Sequence, residues 1–268
     1  MLDLDGKTII VTGATKGIGL GIVWELVERG AQVVVSSRNA DDCRAVAEEL
    51  NTRTGRNCAI GLDADIESLD VGDRLLAACL SAFGRIDGLV CNAAVMPFHG
   101  PSDQTPPEKF AQLLHGNVHA TFRLCQTVSV PLRAQKQGSI VIIGSAAGLI
   151  AEPLLMAYGA SKLAQIHVAK CLATELAPYG VRVNCVPPGL IRSEQSRPVW
   201  TDPEMLKQML GTIAIKRIGE PRDVAAVVAF LLSDSSSYVT GTVIPVDGGM
   251  TSLPASAGLA DALDSAFS

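Results

Sequence analysis

The stretch Thr8-Ile9-Ile10-Val11-Thr12-Gly13-Ala14-Thr15-Lys16-Gly17-Ile18-Gly19 decides how the rest of the chain is read. Residues 8 to 12 form a β-branched run of the kind that is buried on both faces of a parallel sheet. The glycines after it permit a tight turn that brings backbone N–H groups against a pyrophosphate at a helix N-terminus. Residues 18 to 29 then read as that helix, carrying Ile18, Ile22, Trp24, Leu26 and Val27 before Gly30 stops it. A second run, Gln32-Val-Val-Val-Ser36, closes a β-turn-α-β unit. Glycine spacing alone is weak evidence, whereas strand, turn, helix and strand in register form the setting that dinucleotide binding requires. Gly13, Thr15, Lys16, Gly17, Ile18 and Gly19 are the expected contacts.

The alternation continues outward from this unit. Strands are expected at 57 to 62, 86 to 92, 138 to 144, 181 to 186 and 242 to 246. Helices are expected near 41 to 51, 68 to 83, 107 to 132, 156 to 178 and 221 to 233, with a short helical insert at 203 to 210. This pattern predicts an α/β fold: a single doubly wound, Rossmann-type domain over residues 1–250, with a mostly parallel sheet of about seven strands flanked by helices. Residues 251–268 form an Ala/Ser-rich tail, expected to fray or to make a short helix near 259 to 267.

Composition narrows the function classes. The 268 residues are 48% hydrophobic and 18% charged, which excludes a disordered chain. A net charge of −5 without any basic cluster disfavours nucleic acid as a partner. The nearly uncharged stretch 137 to 161 is broken by Gly144, Gly148, Pro153 and Gly159, so no membrane span is expected. Seven scattered cysteines, none spaced Cys-x-x-Cys, suggest neither disulfides nor a metal site, and a cytoplasmic location is expected.

The end of the second strand reads Ser36-Ser37-Arg38-Asn39. An acid there would bind the ribose hydroxyls of NAD and repel a 2′-phosphate, whereas Arg38, with Lys16 nearby, can grip one. NADP(H) is the expected cofactor, with Ser37 and Arg38 at its 2′-phosphate. Further along, Ser145 ends a strand and Tyr158-Gly-Ala-Ser-Lys162 opens a helix. Tyr and Lys four apart share a helix face. A nearby ammonium and a cationic nicotinamide would lower the tyrosine pKa enough for acid–base work.

Together these motifs resemble the short-chain dehydrogenase/reductase family over about residues 3 to 250. The resemblance implies that Tyr158 exchanges the substrate proton and that Lys162 lowers the tyrosine pKa and binds the cofactor ribose. It further implies that Ser145 orients the substrate oxygen and that Asn117 holds the water of a proton relay. By the same resemblance Asp65 would bind the adenine, while Pro188, Gly189, Ile191 and Ser193 would wrap the nicotinamide. Asn92, in Cys91-Asn92-Ala93-Ala94, would sit beside the cofactor. The family pattern there is Asn-Asn-Ala-Gly, and Ser193 stands where Thr is common.

The implied activity interconverts a ketone or aldehyde and an alcohol by hydride transfer. The alternatives are a 3-oxoacyl-thioester reductase and a non-catalytic cofactor-binding sensor. The segment 192–215, with Trp200, Met205, Leu206, Met209 and Leu210, would be a lid favouring a largely apolar small-molecule substrate, and His99 and Glu152 would border the pocket. His115 and His119 are expected to serve helix packing, with no metal bound. The helices at 107 to 132 and 156 to 178 are apolar nearly all round, which predicts self-association as a homodimer or homotetramer.

Overall fold

In the computed structural model the described residues are 3–96 and 98–252. The chain alternates β1 (Thr8–Thr12), α1 (Gly17–Glu28), β2 (Gln32–Ser37), α2 (Ala40–Thr54), β3 (Ala59–Asp63), α3 (Val71–Phe83) and β4 (Gly88–Cys91). There follow α4 (Pro107–Leu113), a π-helical segment (Leu114–His119), α5 (Ala120–Gln135), β5 (Gly138–Ile143), α6 (Met156–Leu176) and β6 (Val181–Val186). The short helices α7 (Arg197–Thr201) and α8 (Pro203–Gly211) precede α9 (Pro221–Leu232).

The strands form one parallel sheet in the order β3-β2-β1-β4-β5-β6. Side chains alternate across it, as period two demands. Ile9, Val11, Val33 and Val35 face the layer of α1 and α9, while Ile10 and Val34 face the layer of α3, α5 and α6. All of these side chains are buried, so the continuous apolar runs in the sequence reflect a sheet covered on both sides.

The sheet has six strands where about seven were expected. Residues 242–246 do lie beside β6, with Cys185 N–H donating to Thr242 and Ile244 N–H to Cys185. Further on, Val246 N–H donates to Pro187 and Gly189 N–H to Val246. The ladder breaks between these two bridges because Pro187 has no N–H to give, so only isolated bridges remain. The helix expected over 107 to 132 is likewise three pieces, interrupted by the π-helical turn around Asn117. Hydrophobic periodicity carries no signal for such a widened turn. The tail helix expected near 259 to 267 lies outside the described residues.

Candidate active site

The sheet's C-terminal edge gathers the residues singled out above. Ala14 N–H donates to Ser36 O at 2.9 Å, which ties the glycine-rich turn to the end of β2, just before Arg38. Asn92 clamps the turn from the other side. Its amide nitrogen donates to Thr12 O at 3.0 Å and Gly13 O at 2.9 Å, while Thr12 Oγ1 accepts from Asn92 N and Ala93 N, both at 3.1 Å. The Asn92 amide donors thus shape the turn. Gly19 is required by close approach, since a Cβ there would overlap the Gly13 carbonyl.

No side chain caps α1, so the amides of its first turn face outward without a protein acceptor. That donor set fits a pyrophosphate, in line with the expectation for Gly13 to Gly19. Lys16 and Arg38 are exposed beyond it, and Lys16 Nζ lies 3.6 Å from Asp42 Oδ2. Asp65 is exposed just past β3, accepting from Glu67 N–H. Ala146 N–H donates to Pro188 O at 2.8 Å, and Ser196 Oγ donates to Ile191 O at 2.6 Å. The segment Pro188, Gly189, Ile191 and Ser193 therefore runs beside the Ser145 turn. A Cβ on Gly17 would come within 3.2 Å of Ser193 Cβ, so this segment also borders the glycine-rich turn.

Ser145 follows β5 and caps a short 3₁₀ turn, its Oγ accepting from Ala147 N–H at 3.2 Å. Gly159 lets α6 pack against that turn, because a Cβ there would lie 2.5 Å from Ala147 O. Tyr158 and Lys162 consequently stand beside Ser145. Lys162 is fully buried, its Nζ 5.6 Å from the Tyr158 ring centroid and donating to Ile143 O at 3.1 Å. Burial pulls its pKa down to about 8. Burial also pushes the Tyr158 phenol up to about 12; a hydrogen bond with Ser145 opposes this and the Glu152 charge adds to it. In the protein alone the tyrosine pKa is therefore raised rather than lowered, because desolvation of the phenolate outweighs its neighbours. Glu152 is itself raised by burial, with His99 pulling the other way.

Asn117 sits in the π-helical turn with no exposed surface. Its Oδ1 accepts from Val95 N–H at 2.8 Å, and its Nδ2 donates to Val95 O and Ser161 Oγ, both at 3.0 Å. The carboxamide is a brace between the loop after β4 and α6. Gln165 adds to that brace by donating to Asn117 O at 2.8 Å and Thr121 Oγ1 at 2.7 Å. Ser161 and Gln165 were missed by the sequence reading. The sequence carries no signal for them, because the same helix also bears exposed polar residues such as Lys170 and Glu175.

His115 and His119 do not pack into the core: their rings stack at 4.9 Å on the exposed side of the helix. Cys91 does lie in the core, its Sγ 3.9 Å from Cys125 Sγ. The lid region carries a cation–π contact of Arg192 over Trp200 and an Arg192–Glu220 ion pair at 2.9 Å. Leu206, Met209 and Leu210 are half-buried, and Met205 is exposed.

A glycine-rich turn with free helix amides and a Ser, Tyr and Lys cluster at the strand ends define a nicotinamide-dependent oxidoreductase of the doubly wound class. The chain belongs to the short-chain dehydrogenase/reductase family. A family profile described as enoyl-(acyl carrier protein) reductase matches residues 13–251. Dehydrogenase/reductase SDR family member 4 of Bos taurus is 42% identical over 254 residues, covering 93% of this chain and 88% of that protein. L-rhamnose 1-dehydrogenase (NAD(P)(+)) of Azotobacter vinelandii is 35% identical over 255 residues, covering 93% and 98%. A short-chain type dehydrogenase/reductase from Mycobacterium ulcerans superposes with a TM-score of 0.89 at 33% identity, covering 93% of this chain and 91% of that one. The chain is thus an NAD(P)-dependent oxidoreductase that interconverts carbonyl and alcohol groups, and these relatives do not favour the thioester-reductase or sensor alternatives. Among the described residues no helix is long and apolar enough to cross a membrane.

Proposed function

We propose that the protein is an NADP(H)-dependent carbonyl reductase or alcohol dehydrogenase in which Tyr158 is the proton-exchanging group. The observation that carries this reading is the approach of α6 to the Ser145 turn, with the buried Lys162 ammonium 5.6 Å from the Tyr158 ring. Bound NADP(H) supplies or accepts the hydride at its nicotinamide. Ser145 holds the substrate oxygen by a hydrogen bond. Tyr158, kept neutral by burial, donates its proton as that oxygen gains charge, and the Lys162 ammonium stabilises the phenolate left behind. Asn117, through Val95 and Ser161, positions α6 for this task.

Residues suited to hold the cofactor are the turn Gly13 to Gly19, Ser37, Arg38 and Asp65, with Pro188, Gly189, Ile191 and Ser193 at the nicotinamide end. Lys16 and Arg38, with no acid at residues 36 to 39, support NADP(H) over NAD(H). The half-buried Leu206, Met209 and Leu210 in the lid support a substrate with an apolar body. Exposed Phe122 and Val130 on α5 and Leu163 on α6 support a homodimer or homotetramer with these helices at the interface. Seven free thiols, six of them buried, support a reducing, cytoplasmic setting.

The test is Tyr158→Phe assayed with NADPH against a panel of aryl and alkyl ketones. The variant is expected to bind NADPH like the parent and to lose turnover by about a thousandfold, a proton-transfer contribution in the middle of the usual range. Near-parental turnover would refute the assignment.

A further inference from the structure

The end of β2 and the start of α2 carry a cluster of charges that the proposed function uses only in part. Lys16 and Arg38 are the cations assigned above to a 2′-phosphate, and Arg44 stands one turn into α2. Two carboxylates, Asp41 and Asp42, occupy the first turn of the same helix. Their backbone N–H groups are capped by Asn39 Oδ1 at 2.9 and 3.0 Å, which fixes where both acids begin. Asp41 pairs with Arg44, and Asp63 across the strand ends pairs with Arg74 at 3.5 Å. Asp42 is left to Lys16, whose Nζ lies 3.6 Å from its Oδ2. Arg38 forms no ion pair among the described residues.

A 2′-phosphate dianion between Lys16 and Arg38 must therefore compete with Asp42 for Lys16 and sit in its field. A 2′-hydroxyl meets no such opposition and can donate to a carboxylate. We infer that Asp42 is a specificity-determining residue that holds down the preference for a 2′-phosphorylated dinucleotide, leaving the enzyme able to use both cofactor forms. The inference rests on the NADP(H) reading of Lys16 and Arg38. Both partners of the Lys16–Asp42 pair are substantially exposed, so the effect is modest and screened by salt.

The experiment is calorimetric titration of the full chain with 2′,5′-ADP and with 5′-AMP at low ionic strength. These fragments differ only in the 2′-phosphate. Asp42→Asn should raise the preference for 2′,5′-ADP over 5′-AMP by about threefold, the size expected of one exposed ion pair. In the Lys16→Gln background the same substitution should lose most of that gain, because its effect runs through the freed ammonium. An unchanged preference in D42N would overturn the inference while leaving the cofactor reading in place, as would a gain that persists in full without Lys16. Parental protein that favours 5′-AMP, with no gain for 2′,5′-ADP in D42N, would overturn the cofactor reading and the inference with it.

Discussion

Lys162 Nζ donates to the main-chain oxygen of Ile143, two residues before Ser145, at 3.1 Å. One strand end thus anchors the buried ammonium and carries the serine. Among the described residues no carboxylate forms an ion pair with Lys162. Its titratable neighbours are the thiols of Cys91 and Cys185, held protonated and neutral by the hydrogen bond with Cys125 and burial for Cys91 and by burial for Cys185. The ammonium is held at this depth without a counter-ion, at a cost to folding.

Lys162→Met should therefore raise stability while abolishing turnover. The lysine pKa falls from 10.5 to about 8 on folding. The unfolded chain thus binds more protons between those values, and the penalty is full below pH 8. At 1.4 kcal/mol per unit this is about 3 kcal/mol, reduced to about 2 by loss of the hydrogen bond to Ile143. Denaturant melts at pH 7 should show the variant more stable, with the gap closing as pH rises from 8 to 10.5. A variant less stable than the parent at pH 7 would show that the ammonium is not a burden.

Glu152→Gln should make Tyr158 more acidic. The phenol stands at about 12, and the Glu152 carboxylate adds to that rise by disfavouring a second negative charge nearby. Removing the charge stabilises the phenolate, so the basic limb of the pH profile for alcohol oxidation should move to lower pH. A limb that stays in place or moves up would mean that Glu152 does not act on the phenol.

Gly19→Ala should cost both stability and cofactor affinity. The added methyl would overlap the Gly13 carbonyl and crowd Asn92 Nδ2 at 2.6 Å, so the turn and its clamp must both shift. Overpacking of this kind costs about 1–3 kcal/mol, and the displaced amides weaken NADPH binding further. Thermal shift with and without NADPH separates the two effects; a variant with parental melting and parental ligand response would contradict the packing argument.

Much of this was legible in the sequence because local chemistry dictated it. β-branched runs such as Val33 to Val35 have few alternatives to a sheet covered on both faces, and the glycine turn between β1 and α1 needs its residues at fixed spacing. Ser145, Tyr158 and Lys162 stood out by their combination, a serine at a strand end followed by Tyr and Lys four apart on the next helix of a dinucleotide-binding fold. What escaped depended on partners distant in sequence. The Asn92 amide protons go to Thr12 O and Gly13 O, a clamp on the turn that no local pattern announces. The Asn117 carboxamide likewise belongs to Val95 and Ser161. The seventh strand was lost to one missing N–H at Pro187, an effect visible only once residues 242–246 lie beside it.

The outward faces of α5 and α6 carry the last prediction. Phe122, Val130 and Leu163 are 42%, 56% and 56% exposed, yet they lie on helices whose inner faces already fill the core. Large side chains on one outward surface cost solubility unless another surface covers them. In a two-fold dimer each helix pair would meet its own copy, so one acid substitution is felt twice across the interface. Phe122→Asp combined with Leu163→Asp should convert the proposed dimer or tetramer to a smaller species by sedimentation velocity. Melting of that species should depend less on protein concentration than melting of the parent, since dissociation no longer precedes unfolding. A parent that sediments as a monomer, or a double variant that keeps the parental size, would remove these helices as the interface.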